Sequence, residues 1–138
     1  MSRISGPLLD RIDLHVELPS LSFETMSSKR PSESSADIRA RVVKARKFAI
    51  ERMGEDARRY HCNGMLDSRG IQKYCVLSDA ALSLLKQAYE KLGLSARGYD
   101  RMLRVSRTIA DLAGSEIITD RHVGEAVQLR HLDRKYFY

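Results

Sequence analysis

Tryptophan is absent from these 138 residues, and cysteine occurs only twice, at Cys62 and Cys75. Two cysteines without a pairing pattern argue against a disulfide framework, so reduced thiols are expected. No run approaches the roughly 20 apolar residues that a membrane span requires, and the first residues lack the apolar stretch of a secretory signal. A cytoplasmic location with no membrane partner is the expectation. His15, His61, His122 and His131 show no zinc-ligand spacing with the cysteines, so no metal site is expected. A glycine-rich phosphate loop closed by Lys-Ser/Thr is missing, as is a nucleophile elbow. The chain therefore has no motif by which it would hold a nucleotide unaided.

What is present is a soluble globular composition, 43% apolar and 30% charged, with a net charge of +6 that comes mostly from arginine. The length fits one compact domain with an appendage. A basic balance favours anionic partners such as phosphate, nucleic acid or an acidic protein face, although solvated basic helix faces carry the same signature.

Residues 11–18, RIDLHVEL, alternate with Ile12, Leu14, Val16 and Leu18 on one side and Asp13, His15 and Glu17 on the other. That period of two predicts a half-buried strand stopped by Pro19. No later segment reads as its partner, so the strand is expected to be unpaired here. Seven of the sixteen residues from Ser20 to Ser35 are serine, which predicts a flexible linker.

Beyond it the chain reads as helices. Ser34 or Ser35 caps a helix starting near Ala36, with Ile38, Val42, Ala45, Ala49 and Met53 on one face and Gly54 at its end. Residues 55–66 read as polar and irregular, followed by a short helix over Asp67–Cys75 with Ile71 and Tyr74 facing inward. Ser78 opens a helix with Ala81, Leu82, Leu85 and Tyr89 inside and Gly93 as its stop. Ser95 caps the strongest helix, running to about Ala113 before Gly114. Thr119 caps a last one with Val123, Ala126, Val127 and Leu129 inward. A mainly α fold, a small helical bundle, is the expected architecture.

On the helix from 95 to 113, Met102, Val105, Ile109 and Leu112 centre on one face, while Arg97, Arg101 and Arg104 cluster opposite, with Arg107 at the edge of that basic arc. Three guanidiniums near a helix N-terminus suit a phosphate, because the free N–H groups and the dipole add to their charge. A solvated arginine face on an amphipathic helix is the other reading, and periodicity alone leaves both open.

Three segments, "ISGPLLDRIDLHVELP", "ESSADIRARVVKAR" and "LSARGYDRMLRVSRTIADLAG", occur in order within a match that covers the chain from Arg3 to about Leu132. Together they resemble the C-terminal region of the magnesium-chelatase-like AAA+ ATPases. More specifically, they resemble a competence-associated bacterial subgroup, related to the magnesium chelatase motor subunit and the minichromosome maintenance helicases. The resemblance implies that residues 1–19 are the end of an ATPase core, with the arginine-finger segment and the core's last strand. It implies a flexible linker over 20–35, a helical lid over 36–132 and an aromatic tail over 133–138.

By the same resemblance, Arg11 in "LLDRID" is the catalytic arginine finger that reaches ATP held by the neighbouring subunit. Such a fork of positive charge stabilises the transferring γ-phosphoryl group. Arg97, Arg104 and Arg101, in that order, are the candidates for the sensor-2 arginine that binds nucleotide in the same subunit. ATP and Mg2+ are the cofactors of the parent protein, and none is expected on this segment alone. Phosphate-loop, metal-binding carboxylate and first-sensor segments are lacking, so no activity is expected without them.

The resemblance further implies a ring, a homohexamer, whose partners are its own core, the neighbouring subunits and DNA. The competing reading is a freestanding basic module that binds nucleic acid through helix 36–53 or 95–113. A third makes the bundle a subunit-docking surface served by the tail "KYFY".

Overall fold

The computed structural model describes residues 11–28 and 31–130, so the opening turn through Asp10 and the aromatic tail lie outside the described residues. A short helix, α1 (Phe23–Ser27), lies within the serine-rich segment. Four of the helices after it start where a short polar side chain satisfies a free N–H group of the first turn. Ser34 accepts from the Asp37 N–H at 3.1 Å and opens α2 (Ser35–Met53), which ends where Gly54 turns to a φ of 55°. A 3-10 turn (Gly54–Asp56), α3 (Ala57–Tyr60) and a second 3-10 turn (Asn63–Met65) follow.

Asp67 caps α4 (Ser68–Tyr74) through the Gly70 N–H at 2.8 Å. Ser78 caps α5 (Asp79–Leu92) through the Ala81 N–H, and Ser95 caps α6 (Ala96–Leu112) through the Gly98 N–H. In the last helix, α7 (Asp120–Gln128), His122 Nδ1 accepts from the Thr119 N–H at 3.0 Å, one half of a capping box.

α6 is the central element. It packs against α2, α4, α7 and the second 3-10 turn, while α5 packs on α7. Leu66, Ala81, Leu85, Met102, Ala110, Ile118, Val123 and Ala126 form the most deeply buried apolar core. Two connectors are stapled together above it, where Ile118 N–H donates to Val76 O at 2.8 Å and Ser78 N–H to Ile118 O at 2.9 Å. That single parallel bridge, Leu77 with Ile118, is the only β pairing among the described residues. The fold is the mainly helical bundle that the periodicity predicts.

Several faces differ from expectation. On α6 the buried arc is turned toward Arg107 and Asp111, leaving Leu112 exposed. Arg107, expected at the rim of the basic arc, is fully buried. On α5, Ala88 is buried while Leu82 and Tyr89 stay exposed. The α2 stripe is buried only at Ala49 and Met53, because the first half of that helix, with Ile38 and Val42, has nothing packed over it among the described residues.

Residues 55–66, expected to be irregular, instead fold back over the core with Tyr60, Asn63 and Leu66 buried. Residues 11–18 form no strand. His15 is buried, its N–H donating to Leu129 O at 2.7 Å, and Ile12, Leu14, Val16 and Leu18 are exposed, the reverse of a row facing this bundle.

Two predictions follow from local geometry. A methyl on Gly70 would lie 2.9 Å from both Tyr60 Cζ and Leu66 Cδ2. Gly70→Ala is therefore expected to lower the unfolding free energy by about 1–3 kcal/mol in urea titration, outweighing the roughly 1 kcal/mol that alanine gains in a helix. An increase in stability would contradict that packing.

The second concerns His122, which burial and the charge of Arg107 hold below its ordinary value. The cap needs an unprotonated Nδ1, so its contribution is present above the unfolded-state value and lost as pH falls through the lower folded one. Thermal unfolding between about pH 7.5 and about pH 5 should therefore drop less in His122→Gln, which keeps an acceptor that does not titrate. Equal drops in both proteins would exclude the histidine from that pH dependence.

Candidate functional site

The arginines of α6 differ in what their guanidiniums already hold. Arg104 sits half-buried and donates from Nε and Nη2 to Leu66 O at 3.0 and 2.7 Å, fastening the end of the second 3-10 turn to α6. Arg101 donates from Nη1 to Arg11 O at 2.6 Å and pairs through the same atom with the Asp13 carboxylate. Arg97, in the first turn, is exposed, and its guanidinium makes no hydrogen bond or ion pair among the described residues. Arg11 is likewise exposed, and only its carbonyl is engaged.

The structure thus brings Arg11 against Arg101 through the backbone. Arg97, Arg101 and Arg104 share one side of α6, but only Arg97 has its guanidinium free. An incoming phosphate could meet that guanidinium at the helix end where the dipole also favours an anion. A groove of about 600 Å³ lies elsewhere, lined by Phe48, Arg52, Tyr74 and Ile117 among others, and none of the four candidate arginines borders it. The described residues bring no three His, Cys, Asp or Glu side chains together as metal ligands. His61 and Cys62 remain an isolated pair, with Cys62 exposed.

The strongest polar constellation was not singled out from the sequence. Asp111, almost fully buried, accepts from Arg107 Nε at 3.1 Å and from Arg52 at 3.2 and 3.0 Å. Asn63 Nδ2 donates to the same carboxylate at 2.6 Å, and Asn63 Oδ1 accepts from Arg52 at 2.9 Å. Arg107 also donates to Glu116 O at 2.7 Å and to Ser115 O, closing the α6–α7 connector. Burial pushes the Arg107 guanidinium below its ordinary value, and the Asp111 charge opposes that shift. The four-residue spacing of Arg107 and Asp111, which puts both on one side of a helix, was the available signal.

Known proteins share this chain's pattern. Residues 32–130 match the family described as magnesium chelatase, subunit ChlI C-terminal. The chain is 41% identical over 135 residues to competence protein ComM of Haemophilus influenzae, covering 97% of this chain and 25% of that protein. It is also 41% identical over 136 residues to the uncharacterized protein YifB of Escherichia coli, covering 97% of this chain and 26% of that one. With the uncharacterized protein Rv2897c of Mycobacterium tuberculosis the identity is 36% over 114 residues, 83% of this chain and 22% of the relative. The chain thus spans about a quarter of the length of the first two. No described helix is long and apolar enough to cross a membrane.

The division of labour among these side chains predicts a graded series in urea unfolding. Asp111→Ala, which strands two guanidiniums in the interior, should cost about 3–5 kcal/mol. Arg104→Ala, which orphans the Leu66 carbonyl, should cost about 1–2 kcal/mol. Arg97→Ala should stay within about 0.5 kcal/mol of the parent. A cost for Arg97→Ala equal to that of Arg104→Ala would mean that Arg97 has a structural partner.

Proposed function

Because the chain belongs to the magnesium chelatase subunit ChlI C-terminal family, we propose that it is the lid region of an AAA+ ATPase working as a cytoplasmic homohexameric ring on DNA. In this reading Arg97 meets the γ-phosphate of ATP bound in its own subunit, and Arg11 reaches the nucleotide of the neighbouring one. The supporting observation is the allocation of guanidiniums: Arg104 is spent on Leu66 O and Arg101 on Arg11 O and Asp13, while Arg97 stands exposed at the start of α6. This favours Arg97 over Arg104 and Arg101 as the second sensor.

Bound ATP with magnesium supplies the phosphoryl group that hydrolysis transfers. The chain's own contribution is fixed positive charge, which is most effective where negative charge develops on that group. Its described residues offer contacts to phosphate and no ligand cluster for magnesium. The exposed row Ile12, Leu14, Val16 and Leu18 supplies an apolar edge on which an ATPase core would pack. DNA as the ring's substrate comes from the family resemblance, and the Haemophilus relative is named a competence protein.

A second reading, direct nucleic-acid binding, is favoured by one observation. Arg39, Arg41, Lys44, Arg46 and Lys47 are all exposed on α2, with Arg41 paired to Glu33 and Lys47 near Glu51. Binding of the chain itself to duplex DNA, with log affinity falling by about 0.9 per neutralised phosphate against log salt, would support that reading.

The test of the main reading is ATP turnover, with and without DNA, by a full-length chimera carrying this chain in place of the matching quarter of the Haemophilus relative. Arg97→Ala and Arg11→Ala are each expected to lower turnover by about 10²-fold or more. Mixing Arg11→Ala with subunits that supply the finger but lack a phosphate loop should restore activity. Unchanged turnover in both variants would overturn the assignments.

A further inference from the structure

We infer that Arg101 is a positioning residue for Arg11, and that with Arg130 it forms a clasp tying the Arg11–His15 segment to the ends of α6 and α7. The inference rests on the reading of Arg11 as the finger. Three successive backbone contacts carry it. Arg101 Nη1 donates to Arg11 O at 2.6 Å, Arg130 Nη1 donates to Ile12 O at 3.3 Å, and His15 N–H donates to Leu129 O at 2.7 Å. The Asp13 carboxylate joins Arg101 as well, but it is 57% exposed, and an ion pair so open to water adds little holding power by itself. The carbonyl contacts matter more, because Arg130 is buried and the Arg101 side chain is only 24% exposed.

Fixing the carbonyls of residues 11 and 12 fixes two consecutive planar peptide units. The Arg11 Cα lies at the edge of the first, so the clasp sets where its guanidinium begins its reach while leaving that guanidinium unengaged. Arg101 lies four residues, about 6 Å along the axis, from Arg97 on the same helix. A rigid helix therefore joins the group that senses nucleotide in its own subunit to the segment carrying the group offered to the next. When α6 and the end of α7 move together with lid closure, the Arg11 segment must move with them or the three contacts must break. The three lid arginines thus have different tasks: Arg97 reads, Arg101 transmits and Arg104 holds the fold.

Two measurements separate this from the reading beneath it. In the chain itself, Arg101→Ala should speed hydrogen exchange of the His15 amide by about tenfold or more, with the Leu103 and Val123 amides unchanged. Unaltered His15 exchange would overturn the clasp whatever the function of Arg11.

In the full-length chimera, Arg101→Ala should lower kcat for ATP by about tenfold or more while KM stays within about twofold, because a finger acts on the transition state and not on ground-state binding. The double variant Arg11→Ala/Arg101→Ala should be no slower than Arg11→Ala alone. A raised KM with kcat unchanged would make Arg101 a direct phosphate contact, and multiplying effects would make the two arginines independent. Either result overturns the inference. Faster His15 exchange combined with full activity of Arg11→Ala would remove the finger reading, and the positioning role with it.

Discussion

A carboxylate held between two guanidiniums in the interior is the constraint around which the bundle is arranged. Asp111 ties Arg52 of α2 and Arg107 of α6 to Asn63 of the second 3-10 turn, and Arg107 continues to the carbonyls of Ser115 and Glu116. Such a cluster is costly to desolvate and tolerable only when each charged group keeps its partners. It therefore admits one relative placement of α2, α6 and the α6–α7 connector. That placement turns α6 so that Arg107 faces inward, and the turn decides which arginines remain outside.

The consequence reaches the candidate site directly. With Arg107 inside, the side of α6 bearing Arg104 is drawn against Leu66, and Arg104 is consumed in holding that loop. The first turn projects beyond these contacts, so Arg97 keeps an unengaged guanidinium beside the Ser95 cap. Which of three similar guanidiniums stays unengaged is thus decided by packing. Charge alone placed them together; hydrogen bonding separates them.

The helices were legible where local signals agree: Ser34, Ser78, Ser95 and Thr119 each stand at a helix start, and Gly54 and Gly93 take positive φ at ends. The inward faces of α4 and α7 followed from apolar spacing, as did the family from three motifs in order. The phase of α6 did not, because hydrophobic spacing treats an arginine as an outside residue and cannot anticipate its burial against Asp111. Residues 55–66 were missed for a related reason: Tyr60 and Asn63 are buried through side-chain hydrogen bonds to Asp67, Asp111 and Thr108, which no periodicity records. The alternation in 11–18 predicts a strand with Ile12, Leu14, Val16 and Leu18 on its inner side, whereas no strand forms and it is His15 that meets the bundle.

Arg97 as the arginine that meets nucleotide in its own subunit is the proposal from which the roles of Arg101 and Arg11 follow. Its most direct test is an experimental structure of the full-length ring, chimeric for this chain, with a non-hydrolysable ATP analogue. The prediction is an Arg97 guanidinium about 3 Å from a γ-phosphate oxygen, with Arg104 still on the Leu66 carbonyl. A structure in which Arg104 has left Leu66 to hold the phosphate, with Arg97 facing solvent, would contradict it.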